Sequence, residues 1–347
     1  MGLNKRLIGA GATASGTFTP SENFKVITYT GNGGTQSITG VGFKPDFVWI
    51  KDRGATGYHA VHDSTRGATK GVFTNVTNGE YTGLVTSLDT DGFTVNHTKD
   101  GSDNNTTNRD GGDFVAWCWK AGNTWQSNID GTIPSTVNAN TANGFSIVKW
   151  AGTGSNGTVG HGLSSTPELI ISKNLDTAAT DGWPVFTTSI GNDHTLFLNT
   201  DSAKSSTGGT WGSTSPTSTV FTVQDNASNN QSGNEIIAYC FHSVTGYSKI
   251  GSYTGSGSSG NAQNIGFQPD FVMIKSTAQY NWNIYDTQRP SGSITGRYML
   301  IANANDTEYT TSALHIDITS TGFSFPNGYD GTNKSSQDYI YMAFKMN

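Results

Sequence analysis

Charge is scarce in this chain. Lys, Arg, Asp and Glu together make up 13% of its 347 residues, against roughly 25% in an average domain. The formal net charge is −6, and no Lys/Arg cluster is interleaved with aromatics. The phosphate-neutralising patch that nucleic-acid binding requires is therefore missing. No stretch approaches the ~18 apolar residues that span a bilayer, and no capped amphipathic helix can be found. Catalytic signatures are missing too: there is no Gly-x-Ser-x-Gly, His-Glu-x-x-His, P-loop or Cys-x-x-Cys. Glutamate is limited to Glu22, Glu80, Glu168, Glu235 and Glu308. A retaining glycosidase needs two carboxylates ~5 Å apart, and no such pair can be nominated. The sequence reads as non-enzymatic, with no cofactor.

Two cysteines are present, Cys118 and Cys240, at equivalent places in a repeat whose third copy has Ala343. A position that accepts Cys or Ala reads as a small buried strand site, in preference to a disulfide or metal ligand.

Glycine is abundant, at 44 residues, and aromatics reach 11%. With Ser, Thr and Asn crowding the segments between apolar runs, this is turn-rich β composition and not disorder. The dominant feature is internal repetition. Gly-Phe-x-Pro-Asp-Phe-Val-x-Ile-Lys runs from Gly42 to Lys51 and again from Gly266 to Lys275, with a degenerate copy from Gly162 to Lys173. Upstream of each lies Tyr29-Thr30-Gly31, Trp150-Ala151-Gly152 or Tyr253-Thr254-Gly255. Downstream come the closing strands Asp113–Lys120, Glu235–His242 and Asp338–Lys345. Features shared by all copies belong to the fold, and features unique to one copy are better candidates for function.

Period-2 alternation marks strands in Phe24–Tyr29 and Gly144–Trp150, and short apolar runs such as Phe47–Ile50 mark central strands covered on both faces. Pro45, Pro167 and Pro269 stand at strand entries, where no ladder hydrogen bond is lost. The expected fold is all-β: three tandem antiparallel β-sandwich modules, jelly-roll or lectin-like, at 23–122, 144–243 and 246–347. Residues 1–22 form a Gly/Ala/Ser/Thr-rich arm whose apolar run is too weak for a signal peptide. Residues 123–143 link the first two modules, and Trp125, Ile129, Ile133 and Val137 suggest that this linker docks as an extended strand. Only Ser243-Val244-Thr245 connects the second and third modules.

Three groups of residues are singled out. Asp63-x-x-Arg66 recurs as Asp286-x-x-Arg289, with Thr187 and Ile190 in the second copy. A structural ion pair is preferred there to a polar binding site. His59, Trp183 and Trp282 align two residues before Val61, Val185 and Ile284, which favours core packing. Trp211, Tyr58 and Tyr280 lie in polar Gly/Ser-rich loops, where an exposed aromatic can stack on a sugar or touch a partner. Asp89-Thr90-Asp91-Gly92 and Asp103-Asn104-Asn105 carry calcium-type oxygens, but read better as ordinary turns; no metal site is assigned.

The series Tyr-Thr-Gly-x-Gly, Gly-Phe-x-Pro-Asp-Phe-Val-x-Ile-Lys, Asp-x-x-Arg-Gly, Asp-Gly-Phe and Ala-Trp-Cys-Trp-Lys resembles an uncharacterised tandem β domain of tailed phages of marine bacteria and cyanobacteria. The resemblance covers essentially the whole chain and departs at Tyr341-Met342-Ala343. It implies a tail-fibre-like or lectin-like virion-surface protein, and no active site to carry over. The expectation is a virion structural protein, either a tail-fibre component or a capsid decoration or fibre protein. Its partners would be other virion proteins in a homo-oligomer, a trimer being favoured, with no nucleic acid and no membrane. It would be made in the host cytoplasm without a signal peptide. The alternative is a carbohydrate-binding module for host surface polysaccharide; a glycan-cleaving enzyme ranks last.

Overall fold

The computed structural model describes residues 18–176, 182–206, 209–212, 214–289 and 297–347. Most of the arm expected at 1–22 lies outside the described residues, as does Pro290. The chain is all-β, and among the described residues every strand-to-strand ladder is antiparallel, with one isolated parallel bridge between Ile133 and Val159. Each copy of the repeat builds the same run of five strands. In the first, the leading strand Phe24–Thr30 pairs with the closing strand Asp113–Trp119. The closing strand pairs in turn with the motif strand Phe47–Asp52, and Ala60–Asp63 and Lys70–Phe73 follow. The second copy repeats this order with Phe145–Ala151, Glu235–Phe241, Leu169–Asn174, Pro184–Thr187 and Leu196–Phe197. In the third it is Ser248–Thr254, Asp338–Phe344, Phe271–Ser276, Trp282–Asp286 and Leu300–Ile301. Register repeats as well. Trp119 pairs with both Phe24 and Phe47, Phe241 with Phe145 and Leu169, and Phe344 with Ser248 and Phe271.

The repeated motifs are fasteners of this arrangement. Backbone N–H groups of Asp46, Glu168 and Asp270 donate to the carbonyls of Trp119, Phe241 and Phe344. Their carboxylates accept from the N–H of Ala121, Ser243 and Met346, just past each closing strand. Gly31, Gly152 and Gly255 are fixed by close approach, because a Cβ at any of them would collide with the carbonyl of Arg109, Gln231 or Lys334. Holding those turns are Asn108, Asn230 and Asn333, all fully buried. Each side chain accepts the N–H of the residue after the glycine (Asn32, Thr153 and Ser256). The latter two asparagines sit on single-turn helices, Ala227–Asn230 and Asp330–Asn333.

Side-chain alternation divides each closing strand between two cores. Phe114, Ala116 and Cys118 join a cluster with Ile38, Phe93 and Val95, from strands Gln36–Thr39 and Gly92–Lys99, which continue the first copy's sheet beyond Lys70–Phe73 by way of Tyr81–Asp89. Ile236, Ala238 and Cys240 do the same in the second copy, and Tyr339, Tyr341 and Ala343 in the third. Residues of opposite parity from all three copies, among them Trp117, Trp119, Tyr239, Phe241, Met342 and Phe344, meet in one central cluster. Three modules that each keep a separate core are therefore an incomplete description: the largest core is common to all. Fully burying one such large side chain stabilises by about 1.5–3 kcal/mol, so this shared face binds the copies together.

The contacts between copies close a ring. The N–H of Glu80 donates to the carbonyl of Leu175 at 2.9 Å, that of Lys204 to Thr277 at 2.8 Å, and that of Glu308 to Arg53 at 2.9 Å. First meets second, second meets third, and third meets first, at equivalent positions each time. The Nε1 of Trp183 donates to the Phe73 carbonyl and that of Trp282 to the Phe197 carbonyl. His59 holds the third such place, beside Ile301. Buried Lys173 donates to Thr77 O, Lys275 approaches Asp201 O, and Lys51 lies near Asp306.

The linker forms two strands, Gln126–Asn128 and Ser135–Asn140, and the latter pairs with Phe145–Ala151 at the edge of the second sheet. Ile133 and Val137 are buried, whereas Ile129 is 78% exposed.

Candidate functional site

The Asp–Arg pairs lie at the joints of the ring. Arg66 Nε donates to Asp63 Oδ2 at 2.6 Å, and Arg289 Nε to Asp286 Oδ2 at 2.6 Å. In each pair the other carboxylate oxygen accepts two backbone N–H groups of the following turn. A neighbouring copy supplies one more donor. Tyr239 gives its hydroxyl to Asp63 Oδ2 at 2.8 Å, and Trp117 gives its indole N–H to Asp286 Oδ2 at 3.0 Å. Both pairs are buried, and the acceptor oxygens are occupied. Glu308 adds a bidentate contact with Arg53 and a 2.8 Å bond from Arg289. Burial and the Arg66 charge push His62 down to about 3, so its imidazole is neutral at physiological pH.

The aromatics divide three ways. Trp211, expected on an exposed loop, is only 2% exposed and packs edge-on against Phe186 and Phe221. That corrects the reading of it as a sugar or partner contact: the Gly/Ser-rich segment folds its one large apolar side chain inward, where burial is worth most. Tyr58 is 41% exposed and stacks on Phe73, which stacks on Tyr81. Half-buried Tyr280 donates to Asp330 Oδ2 at 2.7 Å and accepts from Lys334 Nζ. Tyr58 and Tyr280 belong to different copies and share no site. His59, Trp183 and Trp282 are buried, the two tryptophans in the central cluster.

Both cysteines are free and fully buried, and burial pushes their thiols well above the ordinary range. Among the described residues no His/Cys/Asp/Glu group is arranged to hold a metal ion. Asp91 instead accepts the N–H groups of Gly40 and Gly42, which is turn chemistry.

The most site-like feature is a cleft of about 540 Å³ where the linker crosses the Gly-Phe-x-Pro-Asp segment of the first copy. Asp46, Ser64 and Asn138 contribute to its lining. Ser64 Oγ donates to Asp46 Oδ1 at 2.7 Å, and Asn138 Nδ2 donates to the same oxygen at 3.0 Å. Burial raises the Asp46 carboxyl above its usual range, although these bonds and the Lys44 charge pull the other way. Asn138 is 2% exposed, and its Oδ1 has no hydrogen-bond partner. Half-buried Trp125 adds an aromatic wall, with its ring packed in part against the central cluster. Lys44, Lys120 and Glu22 add charged groups to the lining, and Thr90 and Asn123 complete its polar part. Sequence reasoning missed this site. It treated Trp125 as a docking residue, and its own rule that unique features mark function would have pointed to the unrepeated linker.

No curated protein and no solved structure matches the chain. One family model does, over residues 19–347: the domain of unknown function DUF7483. Because the match spans nearly the entire sequence, all three copies and the linker included, the chain belongs to that family.

Proposed function

We propose that this chain is a non-enzymatic structural protein of a bacteriophage virion surface, a tail-fibre component or a capsid decoration or fibre protein. In this reading its three copies are β-sandwich modules, at 23–122, 144–243 and 246–347, closed into a ring within one polypeptide. The observation that carries it is the use of buried polar groups as fasteners between copies. Asp63, Arg66, Asp286, Arg289, Glu308 and the tryptophan N–H groups all bridge or brace joints. The private clusters support the sandwich assignment: each lies between a five-strand run and a second layer, a separate smaller sheet in the second and third copies and the continuation of the same sheet in the first. Low charge with a Ser/Thr/Asn-rich surface suits a packed assembly with other virion proteins. A homotrimer would place further copies around the outside of the ring, leaving the internal joints unchanged. Mass spectrometry of gradient-purified particles from the phage that encodes the chain tests the proposal. A stoichiometric constituent is expected; recovery from lysate but not from particles overturns it.

A second reading, recognition of host surface polysaccharide, is favoured by an exposed aromatic on rigid support. Tyr58 is 41% exposed and stacked at 4.7 Å on buried Phe73. A glycan array probed with the whole chain tests this reading.

A further inference from the structure

We infer that the cleft beneath the linker binds a saccharide; this rests on the carbohydrate-recognition reading and gives it a place and a chemistry other than Tyr58. Three observations converge there. The linker that walls the cleft has no counterpart at the next junction, where only Ser243–Thr245 stand, so it is not a requirement of the repeated fold. Its volume of about 540 Å³ lies in the ~300–1,000 Å³ range of small-ligand sites. Finally, its floor is a fixed cluster of polar side chains. Asn138 Nδ2 donates to Asp46 Oδ1 at 3.0 Å and approaches Ser64 Oγ at 3.3 Å. Those bonds set the amide's orientation, and its Oδ1 is sealed away from the cleft against Gly122.

Complementarity narrows the ligand class. Lys44 and Lys120 offer ammonium donors, and Glu22 offers an acceptor. Trp125 lines the cleft and packs against the central cluster, and an indole π face attracts the weakly positive C–H edge of a ring. A pyranose meets all of these, with hydroxyls that donate and accept and one face lined by C–H groups. A purely apolar ligand would leave Lys44, Lys120 and Glu22 without polar partners, and a phosphate would share the cleft with the carboxylates of Asp46 and Glu22.

The test uses the whole chain on an array of defined tetrasaccharides, neutral hexose and glucuronate-containing, followed by calorimetry with the best-bound probe. Trp125→Ala should weaken binding about ten-fold or more, Lys44→Ala about two- to five-fold, and Tyr58→Ala less than two-fold, since central aromatic anchors dominate a site. Thermal unfolding of each variant separates lost contacts from lost fold, and Lys44 is exposed, so its variant keeps the test valid if Trp125→Ala is destabilised. Binding that survives Trp125→Ala and Lys44→Ala but falls with Tyr58→Ala overturns the cleft and keeps the broader reading. No binding of any probe by the unmodified chain at ~10 mM, weaker than typical specific recognition, overturns both.

Discussion

The hydroxyl of Tyr239 donates to Asp63 at 2.8 Å, across 176 positions of sequence. Trp117 does the same for Asp286 from the first copy to the third. Where the second copy replaces Asp and Arg by Thr187 and Ile190, the place of Tyr239 and Trp117 is taken by Met342, which has no N–H or O–H to give. Thr187 Oγ1 is correspondingly buried without a partner. Acid, base and trans donor are kept or lost as a set, as expected of a latch between copies.

Removing the latch donor should weaken the fold. Tyr239→Phe is expected to cost about 1–3 kcal/mol, since Asp63 loses a bond in a buried setting. Arg66→Met, which strands the Asp63 charge, should cost about 3–5 kcal/mol. Met342→Leu, a volume-conserving change at the equivalent apolar place, should stay below about 1.5 kcal/mol. Urea unfolding monitored by tryptophan fluorescence ranks the three; equal losses would sink the latch.

Stability should rise with pH above neutrality. Burial pulls Lys275 down to about 7 and Lys51 to about 8, whereas an unfolded lysine titrates near ~10.4. Between those values the unfolded chain binds more protons, so raising the pH favours the fold, by at most about 1.4 kcal/mol per pH unit per lysine. The full penalty applies below about 7. Burial raises Tyr29, Tyr239 and Tyr285, which reverses the slope above pH ~10, where unfolded tyrosine ionises. Urea midpoints at pH 7, 8 and 9 should climb, and Lys275→Met should flatten the climb.

The repeated glycine before the asparagine-held turn should not accept a side chain. Gly31→Ala and Gly255→Ala drive a methyl into a backbone carbonyl, at an expected cost of about 1–3 kcal/mol. Gly57→Ala, with open space around it, is the control and should lie within about 0.5 kcal/mol of the parent. Melting temperatures of the three variants decide the matter.

The two thiols should be silent in the native chain. Cys118 and Cys240 are 0% exposed and held protonated by burial, so a thiol-specific reagent should modify neither until denaturant is added. Stoichiometric labelling of the folded chain would contradict their placement.

Much of this architecture was legible in the residues. Alternation in Phe24–Tyr29, prolines at strand entries and the three closing runs announced antiparallel β structure and its repetition. The central cluster was not read, yet its signal was present. Closing strands such as Asp113–Trp119 are apolar at both parities, and a sheet with a single partner needs only one. The second apolar face had to be covered by something, and it was another copy. Trp211 misled because loop composition says where the backbone turns, not which way one large ring points. The linker cleft escaped notice because Asp46, Ser64, Asn138 and Trp125 are scattered over the sequence and meet only when the ring and linker have formed.

The shared core also imposes a schedule on synthesis. Trp117 and Trp119 emerge from the ribosome long before Met342 and Phe344, which cover the same cluster. At ~5–20 residues per second, the early face waits tens of seconds for its last wall. Chains stalled after the second copy should therefore be held by ribosome-associated chaperones more strongly than released full-length protein, and crosslinking of arrested nascent chains would reveal it. A lone copy, or any pair, is in this sense an unfinished surface.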